Sequence, residues 1–243
     1  VMYMNAYEDP RRASYFSKSG YDGIYVGVRA GIQNVTPTDY ATYSYPLFAE
    51  KDPVPVMYAS ESWFLRAEGA LRGWAMGGDA RSFYEEGIRL SFERCGVADQ
   101  LTAYMASTAL PGSYDDPAFG YSCSNQSTVT IPWNDGAAFE ENLERIITQK
   151  WIANFPLSTE AWADYRRTGY PKLFRPKQNL APSIIDTQLG PRRLLYNETE
   201  LSSNTVEVNN AIQLLKAESS EVKGDGDTGG TRLWWDRKDK GNF

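Results

Sequence analysis

The chain of 243 residues predicts a mainly α-helical fold in which helical hairpins carry long ordered loops. Three observations lead there. Apolar residues recur at helical spacing in four stretches between residues 59 and 168. Glycine, proline, aspartate and serine stand where those stretches need to start and stop. The connecting segments are long and rich in Tyr, which marks loops that do something or are held in place.

The elements follow in order. Residues 1–57 are broken by Pro10, Pro37, Pro46, Pro53 and Pro55, and read as extended structure and ordered loops. Within them YDGIYVGVRAGI, residues 21–32, alternates like a short strand with glycine bends. The first firm helix is ASESWFLRAEGALRGW, where Trp63, Phe64, Ala67, Ala70, Leu71 and Trp74 share one arc. Gly77-Gly78 breaks it and Asp79 caps a second helix running to Cys95. Tyr84, Ile88, Phe92 and Cys95 form its apolar stripe, and Gly96 suits the left-handed position just past its end. Together residues 58–96 make a helix hairpin of the tetratricopeptide type, which Ala67, Ala80 and Tyr84 resemble loosely.

Residues 97–138 read as a loop insertion and 139–170 as a helix pair. In the pair, Phe139, Leu143, Ile146, Ile147, Trp151 and Phe155 lie on one stripe, and Pro156 stops the helix. Ser158 caps the next, Glu160 sits in its first turn, and Arg166 and Arg167 complement the dipole at its end. Trp151 and Trp162 therefore read as packing residues; they and Trp74 are expected to be mostly buried. Residues 171–243 hold a loop, a short helix, an acidic glycine stretch and TRLWWDRK, expected as a tail packing on the helices. Residues 1–243 are taken as a single domain. One repeat cannot cover its own apolar faces, so the chain is expected to be the C-terminal part of a larger protein.

Composition excludes several functions. A formal charge of −6 argues against nucleic acid and anionic membranes as partners. The chain has no His, which removes His-based triads, His-ligated zinc and the usual neutral-pH base. Cys95 and Cys123 are the only two cysteines, too few for a metal cage, although they could pair with each other. No run of roughly 18 apolar residues is present, so no helix is expected to span a bilayer. No catalytic residues, cofactors or metal ligands are assigned.

At this point YASESWFLRAEGALRGW, DARSFYEEGIRLSFERCGV, ITQKWIANFPLSTEAWADYRRTGYP, PRRLLYN and TRLWWD, in this order and spacing, resemble the C-terminal part of the SusD/RagB family. YVGVRAGI, residues 25–32, resembles the segment before the family's last repeat. The resemblance implies a noncatalytic outer-membrane lipoprotein, exposed on the cell surface. It would bind glycans and pass them to a TonB-dependent, SusC-like transporter. It would attach to the membrane only through an N-terminal lipid anchor that these residues do not contain. The alternatives are a protein-interaction module of helical repeats that binds no sugar, and a glycoside hydrolase.

Family motifs mark shared scaffold, so Arg192, Arg193, Trp234 and Trp235 are expected to tie the tail onto the helices. Sugar recognition needs flat rings beside amides, carboxylates or guanidinium groups. Two loops offer that: Tyr40, Tyr43 and Tyr45 near Asn34 and Asp39, and Tyr114, Tyr121 and Trp133 near Asp115, Asp116, Asn125 and Asn134. These six rings are the candidate glycan site, expected as a shallow groove. Asp225-Gly-Asp227-Thr-Gly229 lacks the further ligands of a calcium loop and reads as an acidic turn. Glu140, Glu141 and Glu144 read as exposed first-turn carboxylates serving the helix dipole, not as a catalytic pair.

Overall fold

A computed structural model describes residues 1–33 and 36–237. It divides into two compact units, Val1–Trp162 with Tyr170–Phe174, and Ala163–Gly169 with the described residues from Arg175 onward.

The first unit is built on a helix hairpin, α3 (Ala59–Leu71) and α4 (Ala80–Arg94), with α6 (Phe139–Ala153) packed against both. Two short helices, α1 (Met2–Ala6) and α2 (Arg12–Tyr15), precede it. The predicted start and stop of the hairpin's second helix are present. Asp79 accepts a 2.9 Å bond from the Ser82 backbone N–H, and Gly96 takes a φ of +71° just past Cys95. Phe64 and Ala67 of α3 meet Tyr84, Ile88 and Phe92 of α4 in the core, all fully buried. Their approach depends on Gly87, because a Cβ there would lie 2.9 Å from the Phe64 ring.

Helix α6 departs from the amphipathic expectation, since residues 142–150 are buried without a break. Its polar side chains are matched inside. The Lys150 ammonium lies 3.2 Å from Glu61, and Gln149 accepts from Arg11 at 2.9 Å. Arg11 and Asp9 are wholly buried and meet through two parallel bonds of 2.9 and 2.5 Å, with Phe92 under the guanidinium.

Several expectations are corrected here. Residues 21–32 form no strand; the Val26 carbonyl accepts the Ser44 N–H at 2.9 Å, but the Val26 N–H goes to the Ser44 hydroxyl at 3.0 Å and Asn5 bonds the Tyr25 carbonyl at 2.7 Å, so side chains interrupt any ladder. The insertion holds a further helix, α5 (Leu101–Ala106), whose Tyr104 reaches the core. Trp74 is 62% exposed, because α3 ends at Leu71 and Gly73 turns the chain away at φ +79°. Trp151 and Trp162 are both partly buried, and Trp151 packs edge-on to Tyr3 at 5.8 Å. Cys95 and Cys123 are free thiols.

Helix α7 (Ser158–Thr168) runs across the division between the units. The second unit adds α8 (Glu198–Ser203) and α9 (Thr205–Glu218). Its centre is a buried carboxylate, Asp236, which takes a forked pair of bonds from Arg192 at 2.7 and 2.8 Å and another from Arg232 at 2.7 Å. Arg166 donates to the Arg192 carbonyl at 2.9 Å and lies over the Trp235 ring. Of the four residues expected to tie the tail onto the helices, Arg192 and Trp235 do so through Arg166 of α7, whereas Arg193 pairs with Asp227 at 2.5 Å inside the tail itself. Trp234 is exposed and does not.

Candidate functional site

The two aromatic loops of the first unit converge. The first opens with a 3-10 turn, Pro37–Tyr40, whose start is fixed by Asp39 accepting from the Thr36 backbone at 2.5 Å. The second is closed by an antiparallel bridge between Tyr114 and Cys123, with both backbone bonds at 2.9 Å. Between them stands Asp116. Its carboxylate accepts the Tyr43 hydroxyl at 2.6 Å and the backbone N–H groups of Ala118, Phe119 and Tyr121 at 3.0 to 3.3 Å. One side chain therefore folds the turn that carries Phe119 and Tyr121, and ties that turn to the first loop. Arg29 holds the same turn from the other side through the Tyr121 and Ser122 carbonyls.

The electrostatics follow from this geometry. Burial alone would favour the neutral acid, but the Tyr43 hydroxyl and three backbone donors outweigh it, holding the Asp116 carboxyl below its ordinary value. Burial, and after it the Asp116 bond, pushes the Tyr43 phenol well above the usual tyrosine value.

The rings form a chain: Tyr43 to Tyr40 at 4.7 Å, Tyr40 to Phe119 at 5.1 Å, and Phe119 to Tyr121 at 6.4 Å and 24°. Their exposure divides them. Tyr43 and Tyr114 are 2% and 3% exposed and form the small core under the loops, so neither offers a face to a ligand. Tyr40 and Tyr121 are half-buried and Phe119 is 40% exposed. The Tyr40 hydroxyl is buried with no hydrogen-bond partner among the described residues.

Two of the expected rings stand elsewhere. Tyr45 is exposed, its hydroxyl on the Ala41 carbonyl. Trp133 packs on Tyr84 of α4. Asn125 and Asn134 cap local turns through the Ser127 and Gly136 N–H groups at 3.0 Å, Asp115 is exposed, and Asn34 lies outside the described residues. Phe119 was missed by sequence reasoning, although Asp116-Pro117 just before it is a turn signal.

The acidic triplet is also rearranged. Glu140 accepts from Tyr170 at 2.8 Å and Glu141 pairs with Arg145 at 3.0 Å. Glu144, expected to be exposed, is buried between the Ser127 hydroxyl at 2.6 Å and Lys172 at 2.8 Å. Among the described residues no cluster of His, Cys, Asp or Glu is arranged to hold a metal, and no helix is long and apolar enough to cross a membrane.

Paired helices with aromatic loops mounted on them define a tetratricopeptide-like helical scaffold. The chain matches the SusD-like family, described as Susd and RagB outer membrane lipoprotein, over residues 1–236, and it belongs to that family. It is similar to a SusD homologue from Bacteroides thetaiotaomicron, with 48% identity and a TM-score of 0.91 over 99% of this chain and 51% of the other. A SusD homologue from Bacteroides ovatus shares 45% identity and a TM-score of 0.90, over 98% of this chain and 51% of its own. A chitin-binding SusD homologue from Flavobacterium johnsoniae shares 42% identity and a TM-score of 0.89, over the whole of this chain and 49% of its own. The chain thus spans about half the length of these relatives. No match is found among curated proteins.

Proposed function

We propose that the chain is the C-terminal, glycan-binding part of a noncatalytic outer-membrane lipoprotein of the SusD-like family. In this reading residues 1–243 act as one functional domain on the cell surface, and bound oligosaccharide passes to a TonB-dependent, SusC-like transporter. The observation that carries it is the run of Tyr40, Phe119 and Tyr121, held by Asp116, with the Tyr40 hydroxyl unpaired at its inner end. Rings fixed before binding present their faces at little entropic cost. The chitin-binding activity of one relative supports the ligand class. Noncatalytic action is supported by the engagement of Glu140, Glu141 and Glu144 in ion pairs and hydrogen bonds.

The experiment is calorimetric titration with a panel of neutral oligosaccharides, with product analysis after long incubation. Saturable binding and unchanged sugar are expected. A second reading, a protein-interaction module, is favoured by the exposed apolar residues Leu47, Phe48, Val54, Val56 and Met57. Failure of every sugar to bind, with retention of a protein partner, would favour it instead.

A further inference from the structure

A groove of about 630 Å3 runs between α4 and α5; it shares no residue with the run Tyr40, Phe119 and Tyr121, and holds Trp133, the expected ring that stands apart from them. That volume is in the range of small-ligand sites, roughly 300–1,000 Å3. Its lining includes Arg81, Glu85 and Arg89 of α4, Leu101 and Met105 of α5, and Trp133.

Trp133 is fixed on two sides. Its ring packs on Tyr84 with centroids 5.6 Å apart, and its indole N–H donates to Asp135 at 2.9 Å. Leu101 and Met105, one helical turn apart, form a short apolar ledge in the same groove. The α4 wall is polar: Arg81 pairs with Glu85 at 2.8 Å and reaches Asp135 at 3.6 Å, and Arg89 pairs with Glu86 at 2.6 Å and with Glu93.

This combination selects a ligand. Two guanidinium groups and two carboxylates line the groove and offset each other, and Asp135 and Glu93 beside them neutralise the same arginines, so nothing there draws in an anionic partner. An amphipathic helix would need apolar walls on both sides, and the α4 wall is polar, with four charged side chains and Ser82. Exposed ion pairs contribute little to stability, so rearranging them around a ligand's hydroxyl groups costs little. One rigid ring, a small ledge and paired donors and acceptors together match a pyranose, which has an apolar face and a rim of hydroxyls. We propose that this groove is a second glycan contact, seating one pyranose unit of a neutral oligosaccharide against Trp133. The proposal rests on the reading of the chain as glycan-binding, but on different residues.

The test labels the chain with fluorotryptophan and assigns the Trp133 signal by fluorine NMR of Trp133→Phe. Chitohexaose, maltohexaose, xylohexaose and mannohexaose are then titrated to millimolar concentration into the wild type and into Phe119→Ala/Tyr121→Ala. The expected result is a saturable shift of the Trp133 signal with at least one sugar, retained in the double variant. Trp133→Ala should weaken that residual binding about 5-fold, the fold-change of a ring contact of ~1 kcal/mol. A Trp133 signal that stays still through all four titrations overturns the second contact. The loop reading fails separately if the double variant binds as the wild type does while the Trp133 signal still shifts.

Discussion

The Tyr43 hydroxyl donates a 2.6 Å hydrogen bond to Asp116 across 73 positions of sequence, and this bond joins the two loops that carry the exposed rings. Removing the hydroxyl leaves a half-buried carboxylate short of one donor. Bonds to charged groups are worth about 1.5–3 kcal/mol. Tyr43→Phe is expected to lose stability of that order in urea unfolding and also to weaken sugar binding, because the Phe119 turn loses its tether. A variant of unchanged affinity would show that the ring positions do not depend on the tether.

The same pair predicts a pH dependence. The folded-state value of Asp116 lies below that of an unfolded carboxylate, so its ionised form stabilises the fold above about pH 3.9 and the contribution fades as pH falls below that. Tyr43 has the opposite sign, since its raised value means that stability is lost as pH climbs past the ordinary tyrosine value of about 10. The melting-temperature gap between wild type and Asp116→Asn should therefore be widest near neutrality and narrow toward about pH 3. A gap that stays constant over that range would mean Asp116 is not held charged by its partners.

Gly87 sets the spacing of the hairpin. In an exposed helix, Gly→Ala gains about 0.8–1 kcal/mol from propensity. Here the new Cβ would meet the Phe64 ring at 2.9 Å, and overpacking costs about 1–3 kcal/mol, so the clash wins. Gly87→Ala is expected to lower the melting temperature, and Phe64→Leu in the same chain to recover part of the loss. A stabilised single variant would contradict the close packing of α3 on α4.

Asp9 and Arg11 are a buried ion pair, and breaking one partner leaves a charge in the core. Such losses are typically about 3–5 kcal/mol. Asp9→Asn should cost close to that in denaturant unfolding, far more than Glu85→Gln at the exposed Arg81 pair, which should cost under about 1 kcal/mol. Equal costs would show that burial does not separate the two pairs.

Local signals carried most of the scaffold. Asp79, Gly96, Pro156 and Gly169 bound the helices because capping and chain termination act over a few residues. Where competing contacts are distant, the reading failed. Val26 alternates like a strand residue, yet its N–H is taken by Ser44, eighteen positions away. Glu144 looked like a solvated first-turn acid until Lys172 and Ser127 covered it. The site was half legible for the same reason. Ring-rich loops are visible in sequence, but the bond that buries Tyr43, and the packing of Trp133 on Tyr84 instead of on the loop rings, are tertiary.

The most direct test replaces the two rings of the Asp116 turn and measures affinity and melting temperature together. Phe119 and Tyr121 lie on the turn that Asp116 organises, so Phe119→Ala/Tyr121→Ala removes two faces and leaves the carboxylate network in place. At ~1 kcal/mol per ring, the best-binding oligosaccharide of the panel should lose roughly 10-fold or more in affinity. The melting temperature should stay within a few degrees of wild type. Unchanged affinity, or a collapse in melting temperature that accounts for the lost binding, would contradict the claim that these rings are the glycan-binding surface.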